Sequence, residues 1–467
     1  MSEFARTRAM RQFYRDVFTR LIDLPESDAM PAHIVAEIFN FKSADFDRLE
    51  PMIAAANTGL DADKEEALKN MLRAITLANQ AFEVKEQSRQ KALPAELSAR
   101  ITEYVVAALK ADNNTHYIVA AIQILFRVNE ISSALFLINN NLSLISDSGT
   151  VLKILLLVCL MEEDYNQAMV VIQALTSDAA LIGEDPMTLL MITCGIYKLG
   201  GLPDSFIDFR TLDDSNGQLE GAGYTWLLEK DSKVNTTVLL ACDKADYFAH
   251  TLPLVYSLYE TNRGVLDVHL HLYNSDEEMN ESVKALRQQL PELHISATLE
   301  QVSACDEMAV EYAARRTLFL RDALQEFATP VIAMNSDVLA RQAWVSPGAA
   351  LQLLENEASP FWDELFGGFI YAEPGSITHR YFDIVGRFIA SNLKAANRVW
   401  CLDSVALSAS LDRLSGTEQM AISRVKRASI LSDEDEAGAF CWASGAGQHA
   451  EEPSQQYKAA LIKKYQR

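Results

Sequence analysis

The sequence predicts two domains of different class. An all-α helical-repeat domain is expected over residues 1–212 and an α/β, Rossmann-like domain over 233–467, with a linker at 213–232. Three observations carry this. Apolar residues recur at three- and four-residue spacing up to about residue 210. The stretch from Thr211 through Gly217 to Gly221-Ala222-Gly223 is polar and glycine-bearing, as linkers are. From Val234 onward, short apolar runs alternate with helical segments, the signature of a parallel sheet flanked by helices. The length of 467 residues exceeds one typical domain. With 49% hydrophobic and 22% charged residues the chain is globular, and only 19 Gly and 13 Pro argue for much helix.

In the first half, helices are expected over Met10–Ile22, Ala32–Phe41, Lys64–Phe82 and Ser98–Lys110. Pro25, Pro31, Pro51 with Asn57-Thr58-Gly59, Pro94 and Asp112-Asn113-Asn114 punctuate them. Asn129-Glu130-Ile131-Ser132-Ser133-Ala134-Leu135 is similar to Glu163-Asp164-Tyr165-Asn166-Gln167-Ala168-Met169, the two alanines lying 34 positions apart. That period and the small packing residue resemble tetratricopeptide repeats, which pair two helices per unit and present a groove to peptides or partner proteins. A degenerate third unit is expected from Tyr197 to Phe206. The competing reading is an irregular helical domain with one coincidental spacing.

In the second half, strands are expected at Thr237–Ala241, Val268–Tyr273, Ile295–Leu299 and Val331–Met334. Helices are expected at Phe248–Tyr259, Glu277–Leu290 and Glu307–Phe327. Ligands of such sheets bind beyond the carboxyl ends of the strands. Asp243, Tyr273-Asn274 and Asn335-Ser336-Asp337 are therefore the residues to watch. No GxGxxG and no Walker A motif occurs, so dinucleotide redox chemistry and P-loop hydrolysis are unsupported.

The net charge of −23 repels phosphate backbones and anionic membrane surfaces, which argues against nucleic acid as partner. No run approaches the roughly 20 apolar residues that span a bilayer. Val151–Met161 is the most apolar stretch and includes Lys153, as a buried helix would. The N-terminus carries no secretory pattern. The six cysteines make no CxxC and no zinc spacing. Buried thiols in a reducing cytoplasm are expected.

From Val234 to the C-terminus the order of elements resembles the GT-A-fold nucleotide-sugar glycosyltransferases, in the branch of glycogenin and the lipopolysaccharide galactosyltransferases. Ala241-Cys242-Asp243 with Tyr247 is similar to the strand end that meets the nucleobase. Arg315-Arg316 on a helix, followed by Val331–Asp337, is similar to the arginine helix and the Asp-x-Asp strand. Gly367-Gly368-Phe369-Ile370-Tyr371 and Ile377–Asn392 follow, as does Asp403-Ser404 opening a helix near the acceptor. Trp442-Ala443-Ser444-Gly445-Ala446-Gly447-Gln448-His449 occupies the place of the family's His-x-x-Gly-x-x-Lys. The departures are specific. Asn335 replaces the first Asp of Asp-x-Asp, Ser404 replaces the acceptor-site Gln, and the metal His and diphosphate Lys fall on Trp442 and Gln448.

The resemblance implies transfer of a sugar from a nucleoside-diphosphate donor, with a divalent cation (Mn²⁺ or Mg²⁺) offsetting the leaving group's charge. Asp337, Asn335 and His449 are the implied metal ligands. Asp403 and Asp337 are the implied catalytic groups, and Gly445, Gly447 and Gln448 with Ser336, Asn335, Arg315 and Arg316 the implied donor contacts. A repeat domain fused to a transferase implies a protein or glycan acceptor. The altered motif leaves a modified enzyme, a metal-independent enzyme, and a non-catalytic interaction protein all open. Blander roles stand beside these. Asp243 and Asp337 suit caps after strands, Asp403 suits a helix N-cap, and Arg315 and Arg316 suit an exposed helix face. His269 and His271 share one strand face and are expected to pack or lie on the surface. Asp433-Glu434-Asp435-Glu436 is expected to be a solvated run.

Overall fold

The computed structural model describes residues 10, 12–18, 21–41, 45–81, 93–213, 223–231, 235–432, 438–442 and 453–465. The chain forms two compact units, residues 1–200 with 358–360 and the remainder.

The first unit is helical throughout its described residues. Helices Thr115–Arg127 and Ile131–Asn140 are joined at Asn129, and helices Gly149–Met161 and Tyr165–Thr176 at Glu163. Both joining residues take positive φ, 64° and 59°. Each turn closes in the same way. Glu130 N donates to Leu125 O at 2.8 Å and Asp164 N to Cys159 O at 2.9 Å, the long-range bond of a Schellman motif. The turn therefore repeats atom for atom at the spacing noted in the sequence. Phe136 and Val170, one period apart, are both exposed. Asn114, Ser148, Asp164 and Asp185 cap the starts of their helices with side-chain oxygens.

A buried ion pair pins this unit. Arg127 Nε donates to Asp16 Oδ1 at 2.9 Å, Nη1 to Asn79 Oδ1, and Nη2 to Phe41 O at 3.4 Å. Breaking one half of such a pair strands the other charge in a dry interior. Arg127→Leu is expected to lower the unit's unfolding free energy by about 3–5 kcal/mol, read by urea denaturation. A change under about 1 kcal/mol would mean that Asp16 finds another partner.

The second unit is built on a mixed sheet rather than the all-parallel one expected. Its strands are β1 Tyr224–Leu228, β2 Thr236–Cys242, β3 Leu266–Tyr273, β4 Ile295–Glu300, β5 Val331–Met334, β6 Val338–Ala340, β7 Leu351–Glu355, β8 Leu365–Ala372, β9 Ile422–Lys426, β10 Leu431–Ser432 and β11 Phe440–Trp442. The described residues form an eight-stranded sheet in the order β1-β4-β3-β2-β5-β8-β7-β9 and a small sheet of β10-β11-β6. β4, β3, β2 and β5 run parallel, with Leu240 facing Leu270 on one side and Met334 on the other. β1 and β8 run antiparallel to their neighbours. β1 lies inside the stretch expected as linker. Pro203 to Asp213 also belong to this unit. Asn392 clasps the Asp208 backbone through Nδ2 to O at 3.1 Å and N to Oδ1 at 2.8 Å.

The central strands are buried because both their faces are covered. One face of β2 and β3 (Val238, Leu240, Cys242; Val268, Leu270, Leu272) packs with Leu254, Val255 and Leu258 of helix Leu252–Asn262 and with Met279, Val283 and Leu286 of helix Glu277–Gln289. The other face is polar and equally dry. His269 Nδ1 meets Ser296 Oγ at 2.8 Å and Nε2 meets Thr298 Oγ1 at 2.9 Å. His271 Nδ1 meets Thr298 Oγ1 at 2.8 Å and Nε2 meets Glu300 Oε2 at 2.8 Å. Glu300 as a carboxylate only accepts, so His271 donates from Nε2. Thr298 must then donate to His271 Nδ1 and accept from His269 Nε2. The chain of hydrogen bonds thus runs one way, from Ser296 to Glu300. Phe319 of helix Met308–Phe327 lies flat on His271, with ring centres 3.9 Å apart. These histidines are therefore a buried ladder, not surface residues.

Candidate functional site

The parallel strands leave β2 in opposite directions. The chain steps from β2 to β3 and β4 on one side, then returns to place β5 on the other. That reversal opens a crevice between the carboxyl ends of β2 and β5, where α/β sheets bind ligands. The β2 end is Asp243, and the β5 end is Asn335-Ser336-Asp337.

Those three consecutive residues reach three different groups. Asn335 Oδ1 accepts from Arg316 Nη1, whose Nη2 also donates to Gly367 O at 2.8 Å. Ser336 Oγ donates to Asp246 Oδ2, which ties the two strand ends together. Asp337 acts on Asp246 and on Lys458 through its charge. Burial raises the Asp246 carboxyl, and the charges of Asp337 and Asp243 add to that against the Ser336 hydrogen bond and His250.

Gly367 and Gly368 of β8 make the approach possible. A Cβ on Gly367 would overlap Asp403 Oδ2, and one on Gly368 would sit 2.8 Å from Asn335 Nδ2. Asp403 is thus brought beside Gly367 and within the field of Arg316. Burial raises its carboxyl, while Arg316 and the Ser404 backbone N–H, 2.9 Å away, pull the other way. Asp403 is not the helix cap that its sequence position allowed. Cys401 holds the N-cap position of helix Leu402–Leu411 without a side-chain cap, and Asp403 lies inside the first turn.

Other expected residues go elsewhere. Asp243 caps the turn Lys244–Asp246 through the Asp246 N–H at 2.9 Å, and it remains at the crevice. Cys242 points into the apolar core, as does Tyr247, whose hydroxyl pairs with Ser282 at 3.1 Å. The strand alternation that leaves Ala241 half-buried on one face turns Cys242 to the other. Arg315 is turned from Arg316 by one helical step. It pairs with Glu300 and with Glu311 at 2.7 Å, and Arg398 joins Glu311 at 2.8 Å. Gly445, Gly447, Gln448, His449 and the acidic run Asp433–Glu436 lie outside the described residues. The six cysteines form no disulfide, and all but Cys305 are buried.

Two features escaped sequence reasoning. Tyr312 stacks on Tyr273 with ring centres 4.5 Å apart, and its hydroxyl lies 3.4 Å from Asn274 Nδ2 beyond the end of β3. The helix Pro453–Tyr465 brings Lys458 to His250, Nζ to Nδ1 3.3 Å. Neither contact has a local sequence signal.

Of the expected metal set only Asn335 and Asp337 are among the described residues, and these two do not form a cation site. Among the described residues no three His, Cys, Asp or Glu side chains converge as ligands. Asn335 Oδ1 already faces a guanidinium, so a cation there would meet Arg316. Among the described residues, no helix is long and apolar enough to cross a membrane. In the helical unit an open cleft of about 560 Å³ is lined by Ser98, Thr102, Glu103, Asn129, Glu130 and Ser133 among others.

No family model matches the chain, and no curated protein matches it. Among solved structures the chain is similar to the glycosyltransferase GlyE of Streptococcus pneumoniae, at 13% identity and a TM-score of 0.33 over 50% of this chain and 63% of that one. It is similar to the galactosyltransferase LgtC in complex with donor and acceptor sugar analogues, at 10% identity and 0.34, over 50% and 97%. Mouse xyloside xylosyltransferase 1 gives 11% and 0.30, over 42% and 87%. The match spans less than two thirds of GlyE. At these values the function is argued from the geometry of the site alone.

Proposed function

We propose that the second unit is a glycosyltransferase domain that binds a nucleoside-diphosphate sugar at the β2–β5 crevice and transfers the sugar to a hydroxyl of a protein or glycan. The helical unit, read as tetratricopeptide-like, would recruit that acceptor. The observation that carries the reading is the loop Asn335–Asp337, which joins both strand ends, Arg316 and the Asp403 pocket in one place.

The residues divide the work. Tyr312 would offer a ring to a base beyond β3, while Asn274, bonded to the Val302 backbone through both amide atoms, holds that strand end in place. Arg316 fixes Asn335 and the Gly367 carbonyl, so the floor of the pocket is set before substrate arrives. Asp403, with its carboxyl raised by burial, orients the acceptor hydroxyl or stabilises the oxocarbenium-like centre. A divalent cation, where one binds, would offset leaving-group charge, and no step here depends on it. One observation favours a second reading, a non-catalytic interaction protein: Asn335 and Ser336 are already engaged within the protein, by Arg316 and Asp246.

Release of nucleoside diphosphate from a panel of nucleotide sugars decides between them. Asp403→Asn is expected to lower turnover on the order of 100-fold with nucleotide affinity little changed. Turnover unaffected by the substitution would remove Asp403 from the mechanism. Binding without any turnover in the parent protein would favour the interaction reading.

A further inference from the structure

We propose that Lys458, delivered by the C-terminal helix, is the built-in cation that contacts the diphosphate of the donor, so that nucleotide binding does not require a divalent ion. The inference rests on the nucleotide-sugar reading of the crevice and deepens it.

The helix is held firmly at its far end. Leu461 enters the apolar core, Tyr465 stacks on Tyr256 with centres 4.7 Å apart, and Gln289 Nε2 donates to Tyr465 O at 2.7 Å. Lys464 pairs with Glu260 at 2.6 Å, and Arg341 lies 4.2 Å over the Tyr457 ring. These contacts fix which way Lys458 points. Lys458 is half-buried and donates to His250 Nδ1, in the helical turn that follows β2, across 3.3 Å. The charges of Asp246 and Asp337, both beside the strand ends, act on it.

Charge decides what this arrangement admits. The crevice holds Asp243, Asp246 and Asp337, which by themselves repel a diphosphate. Burial lowers the Lys458 ammonium, and the charges of Asp246 and Asp337 oppose that. It is the residue type that contacts phosphate as a point charge with rotatable donors. Arg316 cannot take this part, because its guanidinium is spent on Asn335 and Gly367. Arg315 is held in the Glu300–Glu311 network. An incoming diphosphate brings further negative charge beside these carboxylates, and Lys458 is the cation placed to offset part of it.

The test is calorimetric titration with UDP, GDP and ADP, in EDTA and in Mn²⁺, of the full-length protein and three variants. The parent is expected to bind at least one diphosphate in EDTA. Lys458→Gln is expected to weaken it at least about tenfold and Lys458→Arg by less than about threefold. Lys464→Gln, on the same helix but at Glu260, is expected to bind as the parent does. Thermal melting of each variant separates lost binding from lost folding. Parental affinity in Lys458→Gln, or binding abolished by EDTA and restored by Mn²⁺, would overturn the inference and leave the donor-binding reading intact. Absence of binding under every condition would overturn both.

Discussion

Arg316→Leu is expected to remove about 3–5 kcal/mol of stability from the second unit at neutral pH. The guanidinium is buried, donates to two acceptors, Asn335 Oδ1 and Gly367 O, and acts on Asp403 through its charge. Leucine restores packing volume but leaves a buried carboxylate with no cation near it. The cost should shrink as pH falls, because a protonated Asp403 no longer needs the charge. The sign follows from linkage. A carboxyl raised in the folded state binds its proton there first, so lowering the pH favours folding. Adding Asp403→Asn to Arg316→Leu should therefore return at least about 1 kcal/mol in urea denaturation, a coupling that independent sites would not show. Strict additivity of the two substitutions would separate Arg316 from Asp403.

The histidine ladder should make the same unit acid-sensitive at an unusually high pH for a buried core. Burial holds His269 well below the ordinary imidazole range, with the charges of His271 and Lys230 pushing the same way. Burial also lowers His271, outweighing the Glu300 hydrogen bond and charge that would raise it, while Arg315 and Asp322 oppose each other. For Glu300, burial raises the carboxyl, but His271 and Arg315 outweigh it and the net direction is down. The native pair is thus a carboxylate and a neutral imidazole. Below about pH 6.5 the unfolded chain takes up protons that the folded ladder refuses, and stability falls with pH. The slope approaches about 1.4 kcal/mol per pH unit for each histidine, or on the order of 2 kcal/mol for both between pH 6.5 and 5.5. Glu300 adds nothing in this window, since its contribution is lost only as pH falls below the carboxylate range. Urea midpoints across pH 5–8 should show the decline, and His269→Gln should reduce its slope. A flat profile would mean that water or a charged partner reaches the ladder.

The four parallel strands were legible because each is short, carries apolar residues on at least one face and is bounded by turn or helix signals. The crevice residues followed from that, since a strand read correctly places its own carboxyl end. Tyr224–Leu228 was not legible as a strand. It is a half-buried edge beside a glycine-bearing stretch, and its pairing partner β4 lies far along the chain. β7 and β9 were missed for the same reason, as their pairing with each other is long-range. The ladder did leave a trace that single-residue reading ignored. His269-x-His271 on β3 is matched by Ser296-x-Thr298-x-Glu300 on β4, two polar alternations on facing strands. Arg315 and Arg316 were equivalent in sequence, and only the rotation of the helix sends one to Glu300 and the other to Asn335. Lys458 depends on where the C-terminal helix docks, which no local pattern specifies.

Hydrogen exchange with and without a nucleotide sugar that the protein binds addresses the central claim most directly. Added ligand is expected to slow exchange at residues 243–250 and 335–338, the two strand ends of the crevice, and along the turn of helix that carries Lys458. Protection confined to the helical unit, or none in the second unit at a saturating concentration, would contradict the assignment of the β2–β5 crevice as the donor site.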